Sequence, residues 1–170
     1  ATTISLCLSI FPWASFRRNK AGVKVNTVLD HDGYIPAFVD ISNAKTHESR
    51  MAKSLSLPKG SIVTFDKGYI AYSWFQLLAT KGIFFVTRLK DNAVFKLLER
   101  RPVNRKTGVT SDHIIEVKHS RGKTLRLRRI GYRDAKTGKR YEFLTNHFSL
   151  SAKTIADIYK ERWKIELFFK

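Results

Sequence analysis

Ile62-Val63-Thr64-Phe65-Asp66-Lys67-Gly68-Tyr69 is the stretch whose reading decides the fold. Its first four residues are short and apolar, the pattern of a strand buried on both faces. Asp66 ends the run and Gly68 is expected to let the backbone turn sharply there. Tyr72 to Lys81 then reads as a helix with Gly82 as its stop, and Ile83 to Thr87 as another buried strand. Strand, helix, strand in that order calls for a sheet with helices on its faces.

Upstream, residues 4 to 10 alternate, with Ile4, Leu6, Leu8 and Ile10 on one side, and predict a strand. Phe11 to Gly22 reads as a loop. Val23 to Leu29 and Tyr34 to Ile41 read as strands joined by the turn Asp30-His31-Asp32-Gly33. Thr46 to Leu57 reads as a helix, capped by Thr46 and stopped by Pro58. Downstream, the character changes after Lys90. Residues 91–150 carry many Arg and Lys, turn signals at Thr107-Gly108 and Thr137-Gly138, and strands at His113 to Lys118, Thr124 to Tyr132 and Tyr141 to Thr145. From Ser151 a helical period returns and runs to the end. The expectation is one α/β domain over residues 1–170, a mixed sheet with flanking helices and a β-rich insertion at 91–150 before the last helix. No internal repeat or low-complexity tract is visible.

The chain has 32 Lys+Arg against 14 Asp+Glu, a formal net charge of +18. Such an excess repels itself in the folded state and points to a polyanionic partner. No run reaches membrane-spanning length, and no single amphipathic helix collects the cations, so nucleic acid is favoured over a membrane surface. Cys7 is the single cysteine, which excludes an intramolecular disulfide and a Cys-rich zinc site and fits an intracellular compartment. The chain begins without Met and stops inside a helical pattern, so both ends are expected to be cut from a longer protein.

The chemistry concentrates in two places. Tyr159, Arg162 and Glu166 are spaced three and then four residues apart, which puts them on one face of a helix. Asp66 sits at a strand end, where sites form in open α/β sheets. An acid from a strand beside an acid from a helix, in a basic chain, is a way to hold a divalent metal against a phosphodiester. Each residue also has a plainer reading: Asp66 as a turn acid, Glu166 paired with Lys170 or Arg162, Tyr159 as a core tyrosine. A two-metal site needs further carboxylates, one of them bridging. No acid lies between Ala1 and Ser9, so either there is no such site or that acid precedes Ala1. Arg17, Arg18, Lys20, Arg121, Lys123, Arg126, Arg128, Arg129 and Arg133 are candidate phosphate contacts as a set. Lys67 is expected to act on Asp66. His31 and His47 are weaker candidates, and Trp13, Trp74 and Trp163 are expected in the core.

These residues carry a resemblance. Thr2-Thr3-Ile4-Ser5-Leu6 running into Phe11-Pro12-Trp13-Ala14, the hairpin Leu29 to Tyr34, Lys45-Thr46-His47-Glu48, Phe65-Asp66-Lys67-Gly68-Tyr69 and Tyr159-x-x-Arg162-x-x-x-Glu166 resemble the DDE transposases of bacterial insertion sequences, in the insertion-sequence-four group. The resemblance covers nearly the whole chain. It implies a ribonuclease H-like fold with three metal-binding acids, of which Asp66 matches the second and Glu166 the third. The first would lie immediately before Ala1, and the signature's lysine three residues beyond Lys170, so the fragment alone is expected to be inactive. Tyr159 and Arg162 match signature residues beside the DNA phosphates, and residues 91–150 match the family's insertion. Two Mg²⁺ (or Mn²⁺) ions, double-stranded DNA of transposon ends and target, cleavage followed by strand transfer, a homodimer in the full-length protein and a DNA-associated cytoplasmic location are the further implications. The alternatives are a non-catalytic basic DNA-binding module and a ribonuclease H-like nuclease without strand transfer.

Overall fold

β-branched residues dominate the start of the chain, and they pair as antiparallel neighbours. The structure, a computed structural model, describes residues 2–6, 9–10, 12–17, 20–33, 35–45, 55–119 and 122–162. Its contacts divide into two compact units, one built on Ala1–Ser56 and one on Leu57–Lys164.

In the first unit β1 (Thr2–Leu6), β2 (Ser15–Arg17) and β4 (Pro36–Asn43) all pair antiparallel with β3 (Lys20–Leu29). The register sets Ile4 opposite Val23 and Val25 opposite Ile41. Ala14, Ala21 and Val23 form its small buried cluster. The predicted turn closes the hairpin: the Asp32 amide donates to Asp30 Oδ1 at 3.1 Å and the Asp30 amide to the Ile35 carbonyl at 2.9 Å. The expected loop over Phe11 to Gly22 instead holds a 3-10 turn at Pro12–Ala14, β2 and the start of β3. Most of the helix expected from Thr46 lies outside the described residues, and residues 55–58 form no regular element.

The second unit is a six-stranded mixed sheet in the order β5-β6-β10-β9-β8-β7. Its strands are β5 (Ile62–Thr64), β6 (Phe84–Arg88), β7 (Lys96–Arg100), β8 (Val109–Lys118), β9 (Thr124–Arg133) and β10 (Arg140–Thr145). β5 and β6 run parallel, joined by helix α1 (Tyr72–Thr80), and every other pair is antiparallel. Helix α1 buries Trp74, Phe75 and Leu78, the i, i+1, i+4 stripe of an amphipathic helix. Phe75 stacks on Phe85 at 4.2 Å between ring centres, and Trp74 meets Phe65 at 4.7 Å. This aromatic layer holds the two parallel strands in place. The helix stops at Gly82, whose φ of 66° suits glycine.

Strands β7 to β10 intervene between β6 and the last described helix, α2 (Ala152–Glu161), and extend the β5–β6 sheet. Helix α2 is capped by Ser151, whose hydroxyl accepts from the Thr154 amide at 3.0 Å. It buries Ile155, Ala156 and Tyr159 against Val86, Ile130, Tyr132 and Phe143 of the sheet. The sequence does not predict β7, because Lys96-Leu97-Leu98-Glu99-Arg100 is built of helix formers. It is an edge strand with every residue exposed, held by backbone pairing to β8.

Candidate active site at the carboxyl ends of β5 and β6

β5 pairs with β6 so that Thr64 lies beside Val86, and Asp66 and Arg88 each follow two residues further along their segments. The alignment persists past the strand end: the Phe65 amide donates to the Val86 carbonyl at 3.3 Å, and Thr87 Oγ1 donates to the Phe65 carbonyl at 2.9 Å. Asp66 then precedes a 3-10 turn at Lys67–Tyr69, closed by the Tyr69 amide donating to the Asp66 carbonyl at 3.0 Å. The Asp66 side chain does not cap that turn. It is exposed and makes no hydrogen bond or ion pair with any described residue. Gly68 takes the right-handed path of this 3-10 turn, not the sharp glycine turn that the sequence suggested.

Tyr159 comes to the same place from α2. Its ring packs on Phe143 at 5.0 Å and is 2 % exposed, so base stacking is closed to it. Arg162, at the C-cap of α2, lies over that ring at 5.6 Å. Burial pushes the Tyr159 phenol above its ordinary value; the Asp66 carboxylate adds to the rise, and the Arg162 and Arg88 cations oppose it. Asp66, Arg88 and Arg162 thus lie within electrostatic reach of one hydroxyl. That hydroxyl makes no bond of full geometry to a described group, although Arg162 is near enough to donate to it. Glu166 lies outside the described residues.

The other expected contacts divide sharply. Arg128 cannot serve DNA in this fold. It is 1 % exposed, its guanidinium grips Asp112 through Nε at 2.8 Å and Nη2 at 2.7 Å, and Nη1 donates to the His147 and Leu150 carbonyls. Arg129 is occupied by His113, Glu142 and the Phe95 ring. Arg126 is exposed, 3.7 Å from Glu99 and above the Phe148 ring. Lys123 and Arg133 are also exposed. Lys67 pairs with Asp91 at 3.4 Å, not with Asp66, and with Gly68, Lys90 and Asn92 the two line a shallow depression of about 360 Å³. Arg17 lies in β2, with its side chain outside what is described, while Arg18, Arg121 and His47 fall outside the described residues. Trp74 is core as expected, Trp13 is exposed, and Trp163 falls outside.

Sequence reasoning missed Arg88. The signal was the same as for Asp66: a charged residue that ends an apolar strand of the parallel pair. It also missed Asp112, whose role appears only when β8 and β9 are in register.

A hard divalent cation takes oxygen ligands, and the Asp66 carboxylate is an uncommitted donor of that kind. Among the described residues no three His, Cys, Asp or Glu side chains gather to hold a metal ion. The described residues therefore supply one ligand in character, and a complete set needs others. No helix among them is long and apolar enough to cross a membrane.

Residues 1–170 match the transposase DDE domain, and the chain belongs to that family. Its mixed α/β architecture is consistent with the ribonuclease H-like fold of such transposases. It is 32% identical over 165 residues to a Sinorhizobium fredii protein (strain NBRC 101917 / NGR234) named "Putative transposase y4zB", covering 93% of this chain and 46% of that protein. It is 29% identical over 175 residues to a Geobacillus stearothermophilus protein named "Probable transposase for insertion sequence element IS5377", covering 100% of this chain and 45% of the other. The chain thus spans a little under half the length of these relatives.

Proposed function

We propose that the chain is part of the catalytic core of a DNA transposase, cutting transposon-end DNA and joining the cut 3′ end to a target with divalent metal ions, Mg²⁺ or Mn²⁺. The observation that carries this reading is that Asp66 follows the end of β5 while Tyr159 of α2 packs in one cluster with Val86 of the adjoining strand β6, with Arg162 over its ring and the Asp66 carboxylate within electrostatic reach. Family membership supports it. Asp66 and Glu166 are the proposed metal-holding acids. Bound ions would supply an activated water or 3′-hydroxyl and charge relief at the leaving oxygen.

This chain's own residues do the holding and steering. Asp66 offers its oxygens from the turn just past the end of β5. Arg162, beside the buried phenol, is proposed to fork onto a phosphate, and the Tyr159 hydroxyl is itself buried next to it. Arg126, Arg17, Arg18 and Lys67 are proposed to contact the DNA backbone more peripherally. The protein would act beside chromosomal DNA in a bacterial cytoplasm, with a homodimer as the proposed full-length assembly.

The test uses the full-length protein and a duplex bearing the element's own end. Asp66→Asn and Glu166→Gln should each abolish Mg²⁺-dependent nicking while the variants still bind the duplex. Nicking that persists in both would end the reading. A pre-nicked end that is never joined to target DNA would leave a nuclease without transfer; binding without any nicking in the parent would leave a DNA-binding module.

A further inference from the structure

We propose that Lys160 is a positioning residue, a clasp that fastens the last turn of α2 to the turn between β9 and β10 and so holds Arg162 in its working direction. The inference rests on the reading of the site as a phosphodiester-cleaving centre. Lys160 follows Tyr159 and lies two residues before Arg162, the C-cap. Its ammonium meets the insertion at three points. It pairs with Asp134 Oδ2 at 3.4 Å, donates to the Tyr132 hydroxyl at 3.2 Å and lies over the Tyr132 ring at 5.0 Å. Tyr132 is in β9, and Asp134 is the first residue past its end.

Asp134 divides its work between its two oxygens. Oδ1 accepts from the Lys136 and Thr137 amides, both at 2.9 Å, and from the Thr137 hydroxyl at 3.2 Å. Those bonds close the turn, together with the Asp134 amide donating to the Lys139 carbonyl at 2.9 Å. Oδ2 is left for Lys160. The carboxylate is only 15 % exposed, so the ammonium docks on an acid already fixed in place. The Lys153–Asp157 pair on the same helix is different: it spans i to i+4 and ties the helix to itself. At the start of α2 the Leu150 carbonyl is held by Arg128 and the cap by Ser151. At its end, the packing of Tyr159 on Phe143 sets how deep the helix sits. A directional contact beside that ring sets its rotation, on which the bearing of Arg162 depends.

The experiment uses the full-length protein and a duplex bearing the element's end. It compares wild type with Lys160→Met, Lys160→Arg, Asp134→Asn, Lys153→Met and Asp66→Asn. Asn keeps the oxygen that closes the turn and loses the charge that holds Lys160. The readouts are kcat and KM for nicking in Mg²⁺, the slope of log K against log salt, and the melting temperature. Lys160→Met and Asp134→Asn should each lower kcat on the order of tenfold. KM, salt slope and melting temperature should stay close to wild type, because a partly exposed ion pair adds little stability. Lys160→Arg, which keeps the charge, should recover most of kcat, and Lys153→Met should match wild type. The double variant Lys160→Met with Asp134→Asn should be no slower than either single, as two halves of one contact require. Wild-type kcat in both single variants would overturn the proposal. So would a salt slope shallower by about one unit in Lys160→Met alone, which marks a phosphate contact. A loss that tracks the melting temperature in every variant, Lys153→Met included, would overturn it too. If Lys160→Met does not fold, Asp134→Asn and Lys160→Arg decide on the same readouts. Asp66→Asn separates the two claims. Nicking that survives it sinks the cleavage reading, whereas its loss there with indifferent clasp variants sinks only this inference.

Discussion

The sheet carries two arginine–aspartate neighbours, and they are opposites. Arg128 and Asp112 pair diagonally across β9 and β8, buried, bidentate and saturated, with the spare guanidinium nitrogen holding the carbonyls of His147 and Leu150. Leu150 immediately precedes Ser151, the cap of α2, so the pair fastens the start of the helix that carries Tyr159. Arg88 ends β6 and Asp66 stands two residues past the end of the parallel β5, yet neither makes a hydrogen bond or ion pair with the other or with any described residue. A buried charge that has found all its partners is structural; a charge at strand ends that has found none is available to a ligand. The first neighbour pair fastens the start of the helix, and the second is uncommitted among the described residues.

Breaking the saturated pair should have the largest effect on stability. Asp112→Ala leaves a buried guanidinium uncompensated and should cost about 3–5 kcal/mol in chemical denaturation. Replacing both partners with apolar residues, Asp112→Leu with Arg128→Met, should recover much of that loss. If Asp112→Ala unfolds at the wild-type midpoint, the pair does not anchor α2. A smaller effect is expected at the cap itself: Ser151→Ala should destabilise by about 1 kcal/mol, because the Thr154 amide loses its acceptor. Nicking should fall more than that loss of stability explains, since the cap starts the helix that ends at Arg162.

Acid should loosen the same anchor gradually. Burial holds His147 below the ordinary histidine range, and the Arg128 cation adds to this; burial, then Arg129 and Arg100, does the same for His113. Both rings accept hydrogen bonds through Nδ1, from the Leu150 amide and from Arg129. With folded values depressed, the unfolded chain binds more protons once pH drops past the ordinary value of about 6.5. Stability is therefore complete above that value and is lost as pH falls toward the folded values. A His113→Gln, His147→Gln variant should show a flatter melting temperature between pH 7.5 and 5.5 than wild type; equal slopes would remove the histidines from the account. The smallest effect belongs to Arg126, exposed beside Glu99. Arg126→Gln should change stability by less than about 1 kcal/mol and, if it touches DNA, reduce the salt slope by about one.

Much of this was open to reading from the residues alone. Ile62 to Phe65, the helix from Tyr72 and the strand from Ile83 announce a parallel unit, and Asp66 stands where such a unit places a site. The hairpin about Asp30 to Gly33 and the turns at Gly108 and Gly138 also follow from local chemistry. What stayed hidden depends on partners distant in sequence. β7 has no apolar alternation, since an edge strand can be wet on both faces. Arg128 looks like any other cation in its run, and only the β8–β9 register, which sets Ile114 beside it and Asp112 beside Ile130, reveals a buried acid within reach. Arg88 escaped because basic residues were weighed as one surface, whereas it stands at a strand end.

The most direct test is anomalous diffraction from crystals of the full-length protein soaked in Mn²⁺. The account predicts a manganese peak bonded to both the Asp66 and Glu166 carboxylates, with Arg88 and Arg162 flanking it. Manganese bound elsewhere, with those two carboxylates on opposite sides of the molecule, would contradict it.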